Sequence, residues 1–87
     1  MYPTKPEIAR VLRLAGYNVT EWRSKLMDCK ISTFQSKRVY HVRLGGSWWQ
    51  QSPSDFARLA EALSHDFTAT VSAGCVIVTA KEVRDAE

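Results

Sequence analysis

The sequence predicts an α+β domain, a small antiparallel sheet of about four strands with two or three helices packed on one face. Three observations carry this reading. Apolar residues recur at helical spacing over residues 5–15 and again over 53–64. They alternate with polar residues at the period of a strand within 27–44 and 67–80. Glycines and short polar clusters separate these blocks.

The first helix opens at Thr4, with Glu7 completing a Thr-x-x-Glu capping box. Ile8, Val11, Leu12 and Ala15 then share one face, and Gly16 is suited to the left-handed conformation that ends a helix. Residues 17–27 are ambiguous. Asn18 and Glu21 suggest a second, short helix or an irregular turn with Val19, Trp22 and Leu26 on one face, whereas Tyr17, Val19 and Thr20 suit an extended start. The short helix or turn is the expectation taken forward.

A hairpin follows. Met27, Cys29, Ile31 and Thr33 alternate with Asp28, Lys30 and Ser32, residues 35–37 supply the turn, and Tyr40, Val42 and Leu44 return against Val39, His41 and Arg43. Gly45 and Gly46 break the strand ahead of Trp48 and Trp49. The second helix starts at Ser52, with Pro53 at its first position and Asp55 in its first turn. Phe56, Leu59, Ala60 and Leu63 form its apolar face. Phe67, Ala69 and Val71 mark a further strand, Ala73 and Gly74 a turn, and residues 75–80 a last strand. That last strand is apolar on both faces, which predicts a central or covered position.

The chain of 87 residues is read as one compact domain over residues 1–80 with a polar tail at 81–87. Its apolar runs are too short to cross a bilayer. The first residues, Met-Tyr-Pro-Thr-Lys-Pro-Glu, lack the apolar stretch of a signal peptide, so the expected location is cytoplasmic. Cys29 and Cys75 are too few for a disulfide scaffold and lie in apolar alternations, so both are expected to be small buried hydrophobes.

The net charge of +3 conceals an uneven distribution. Residues 22–43 contain six basic residues, Arg23, Lys25, Lys30, Lys37, Arg38 and Arg43, against the single acid Asp28. That segment carries +5 and the rest of the chain −2. The domain therefore has a basic region without being a basic protein.

Catalytic signatures are lacking, and no enzyme activity, metal or cofactor is expected. Nucleophile, base and oxyanion site have no local signature, two isolated Cys and two isolated His lack the close spacing of metal ligands, and Gly45-Gly46 is not followed by the Lys-Ser/Thr of a phosphate loop. His65 stands at a helix end, where histidines commonly meet the terminal carbonyls.

Three binding readings remain. A helix-turn-helix over residues 7–26 would use Arg23 and Lys25 on DNA. Against it, Leu12 stands where the helices want a small residue and Lys25 where the second helix would turn an apolar one inward. A sheet-based RNA binder would combine the basic hairpin with an exposed Trp48 or Trp49. The same hairpin and tryptophans also suit a protein–protein surface, with aromatic and Arg anchors and electrostatic steering toward an acidic or nucleic-acid-binding groove. The protein partner is the preferred reading, on a surface of Lys30, Lys37, Arg38, His41, Arg43, Trp48 and Trp49. In size and style the chain is similar to the small accessory proteins of phages and mobile elements. Many of those inhibit host systems stoichiometrically, anti-CRISPR proteins among them. The resemblance implies a host-directed inhibitor and transfers no residue.

Overall fold

The computed structural model describes residues 3–22, 25, 27–33, 38–46 and 51–81. Two helices, α1 (Lys5–Leu14) and α2 (Pro53–Ser64), pack on a five-stranded mixed sheet. The strands are β1 (Asn18–Val19), β2 (Asp28–Thr33), β3 (Tyr40–Leu44), β4 (Phe67–Ser72) and β5 (Cys75–Ala80). Their order across the sheet is β1-β2-β3-β5-β4. The α+β class stands, and β5 is interior, as its two apolar faces predicted.

Both helices start as their sequences dictate. The Thr4 Oγ1 accepts the Glu7 N–H at 3.4 Å and donates to the Glu7 carboxylate at 2.8 Å. The Ser52 N–H donates to the Asp55 carboxylate at 2.9 Å, which fixes the first turn of α2 behind Pro53. Gly16 then turns the chain with φ +96°, a conformation in which an L side chain is strained although no neighbouring atom would obstruct it. At the far end of α2, the Lys81 ammonium donates to the His65 carbonyl at 3.0 Å.

The core lies between the helices and one face of the sheet. Ile8 and Leu12 of α1, Leu59 and Leu63 of α2, and Ile31, Val42, Val76 and Val78 of the sheet are all essentially inaccessible. Cys29, Ile31, Tyr40, Val42 and Leu44 meet this core as the period of the hairpin requires. Ala9 joins them, although it lies outside the stripe read from the sequence.

Four expectations need correction. The sheet is mixed rather than purely antiparallel, because β1 pairs parallel with β2. Residues 18–19, expected in a short helix or turn, are extended: Asn18 N–H donates to the Met27 carbonyl and Thr20 N–H to the Cys29 carbonyl, both at 2.9 Å. Backbone pairing with β2 thus overrides the local helical signals. Met27, expected in the core, is 42% exposed because it precedes the paired strand, whereas the neighbouring Asp28 is buried. Ala15 and Val71, expected on apolar faces, are exposed at the ends of their elements.

Candidate functional site

Both helices contact the sheet from the side occupied by the core, so the alternation of each strand sends a second set of side chains to the opposite face. On β2 that set includes Lys30 and Ser32, on β3 His41 and Arg43, on β5 Cys75, Ile77 and Thr79, and on β4 Thr68 and Thr70. Register then decides which of them meet. Lys30 is the direct cross-strand partner of Arg43, and Ser32 the partner of His41, which in turn lies opposite Ile77. Two cations are therefore placed side by side at the spacing of neighbouring strands, about 5 Å between Cβ atoms. Lys30 is half-buried and Arg43 exposed. Neither side chain makes a hydrogen bond or ion pair among the described residues.

The His41 Nδ1 lies 3.9 Å from the Cys75 Sγ, and Cys75 is buried on a face where Lys30, Ser32, His41, Ile77 and Thr79 are half-buried and Arg43 and Thr70 exposed. Cys29 points the other way, into the core. Its thiol is pushed from the usual 9.0 up to about 12, first by burial and then by the neighbouring Asp28. Both cysteines are free, and their positions on opposite faces of the sheet keep them apart. The phenol of Tyr17 is also raised, by burial first and then by Cys29.

Asp28 ties the basic hairpin to Asn18 and to the Lys25 backbone. Its carboxylate accepts the Lys25 N–H at 3.0 Å and the Asn18 side-chain amide at 3.3 Å, while its own N–H donates to the Lys25 carbonyl at 2.9 Å. A buried carboxylate with donors of this kind is a structural brace. It holds Lys25, whose side chain is exposed; Trp22, with 82% of its area exposed, instead donates its N–H to the Thr20 hydroxyl at 3.1 Å. Trp22 is the surface aromatic that sequence reasoning missed, because its position on a helical face assumed a helix that residues 18–19 do not form.

Of the residues nominated from sequence, Lys30, His41 and Arg43 are brought together on the open face. Arg38 is exposed just before β3, at the end of the same hairpin. Lys25 is exposed beyond Asp28, at the opposite end. Lys37, Trp48, Trp49 and Arg23 lie outside the described residues. The second helix of a helix-turn-helix is absent at Asn18–Val19, where the chain is extended.

A shallow groove of about 360 Å³ lies where α1 meets the start of β4, lined by Glu7, Arg10, Val11, Leu14, Asp66 and Phe67. It mixes both signs of charge with apolar surface. Among the described residues there is no group of three or more His, Cys, Asp or Glu side chains able to hold a metal. No helix among them is long and apolar enough to cross a membrane. Comparison with protein-family models, with curated proteins and with solved structures gives no match to this chain.

Proposed function

We propose that this is a non-enzymatic binding protein whose open sheet face, centred on Lys30, His41 and Arg43, docks against an acidic protein surface. One observation carries the proposal: Lys30 and Arg43 are direct cross-strand partners on the face opposite the helices. Like charges so placed oppose folding, and a carboxylate-rich partner offsets that cost on binding. The flanking Ser32, Thr70 and Thr79 supply hydroxyls for a polar rim. The strand aromatics among the described residues, Tyr40 and Phe67, are buried toward the core, and the exposed Trp22 lies outside the strands. A rigid face of this kind acts by occupancy, in the manner of the small phage-borne inhibitors the chain resembles in style.

The test is affinity capture from a bacterial lysate, with and without nuclease, using the parent protein and a Lys30→Glu/Arg43→Glu double variant as baits. The expected result is a protein that binds the parent after nuclease treatment, elutes with salt and is lost from the variant. Capture of nucleic acid alone would favour the DNA- or RNA-binding alternative. Equal capture of the same protein by both baits would place the surface elsewhere.

A further inference from the structure

We infer that β4 is the pairing edge of a homodimer, in which a second copy of this chain adds its own β4 antiparallel and joins the two sheets into one. Strand β4 lies at the end of the sheet, with β5 as its neighbour on one side. Its six residues, Phe-Thr-Ala-Thr-Val-Ser, contain no charge, no proline and no glycine. Natural edge strands of this length are usually protected by one of the first two, by a bulge, or by brevity. The β4–β5 register runs without interruption from Phe67–Ala80 to Ser72–Cys75, so no bulge breaks it.

The hairpin fixes which backbone groups face outward. Residues 73–74 form a two-residue turn, with Gly74 at φ +74°, and such a turn closes on a hydrogen-bonded pair, here Ser72 with Cys75. Alternation along an antiparallel ladder then directs Thr70 and Thr68 toward β5 and turns the N–H and C=O of Ala69 and Val71 to the outer side.

Side chains select the register. A twofold axis normal to the sheet keeps core-side residues opposite core-side residues only in alternate registers, since a slip of one residue would exchange the faces. With the axis at Ala69, each Phe67 lies opposite the Val71 of the second copy, and each Thr68 lies opposite a Thr70. Val71 is 48% exposed, a large apolar side chain at the end of the core-facing row. Pairing would set each Val71 beside the Phe67 position of the other copy and remove its exposed surface from water, once at each end of the pair. Thr68 of each copy would lie opposite the exposed Thr70 of the other on the face away from the helices. The strand is thus complementary to itself in backbone polarity and in which residues share a face.

Sedimentation of the parent protein from about 5 μM to about 0.5 mM should show a reversible monomer–dimer equilibrium within that range. Val71→Lys and Thr70→Lys place charges on exposed positions and should each weaken dimerisation about tenfold or more while leaving the dilute circular-dichroism spectrum unchanged. Hydrogen exchange supplies a readout independent of the variants. The amides of Ala69 and Val71 should exchange quickly in dilute solution and become protected as concentration rises. A monomer throughout, a dimer indifferent to both substitutions, or these two amides protected equally at all concentrations would each overturn the inference. Charge reversal at Lys30 and Arg43 should leave this dimer intact, so its failure and that of the binding face are separable.

Discussion

Replacing Arg43 with Glu should stabilise the fold while abolishing partner binding, because the same charge pair works against the first and for the second. Lys30 and Arg43 are cross-strand partners on the open face. Their charged ends, at the tips of flexible side chains, are taken as about 6 Å apart, which gives a repulsion of about 0.7 kcal/mol in water. A Debye length near 8 Å at physiological salt reduces this to about 0.3 kcal/mol. Exchanging repulsion for attraction therefore changes stability by about 0.7 kcal/mol, within the range known for cross-strand pairs. For a domain of this size the melting temperature should rise by about 3–6 °C. Thermal melts followed by circular dichroism in 0.15 M and 1 M sodium chloride would measure it, and the rise should shrink to about a third in high salt. Arg43→Gln should fall midway. A lower melting temperature for Arg43→Glu, or a rise that ignores salt, would show that the two side chains do not interact as their register implies.

Cys29 should resist thiol reagents in the native protein at pH 8 and react only on unfolding, while Cys75, beside His41 on the open face, should react first; mass mapping of singly labelled protein would distinguish them. Because burial raises the Cys29 thiol from 9.0 to about 12, the unfolded chain loses this proton at lower pH than the native protein. Stability should therefore be unaffected by this group below about pH 9 and fall above it, by about 1.4 kcal/mol per pH unit. The raised phenol of Tyr17 adds to the loss above about pH 10, and Cys29→Ala should flatten the first part of the curve in denaturant titrations. Asp28→Ala removes the acceptor of the Lys25 N–H and the Asn18 amide, and should cost about 1–3 kcal/mol in denaturant unfolding with increased proteolysis at residues 20–27.

Most of this fold is legible in the sequence because its signals are local. Capping residues and helical periods locate α1 and α2 to within a residue, and alternation finds both hairpins and assigns Lys30, His41 and Arg43 to one face. What alternation does not supply is register, so the meeting of Lys30 with Arg43 had to come from the structure. β1 escaped because two residues are too few to show a period, and because its pairing is fixed by groups remote in sequence. Asp28 and Asn18, ten residues apart, hold the loop that lets β1 lie parallel to β2. The burial of Asp28 was not legible either, because the alternation set it among the polar residues between Met27 and Cys29.

The opposite border of the sheet has its own consequence. There the last strand, β1, is two residues long. A layer with two long, open borders can recruit copies at both and extend without limit, as fibrils do. One whose second border is this blunt has a single place for addition, so growth through β4 ends after one step. If β4 pairs with a second copy as inferred, the brevity of β1 would act as a stop on polymerisation. On that inference, lengthening it by a few β-branched residues would open a second border and allow a filament.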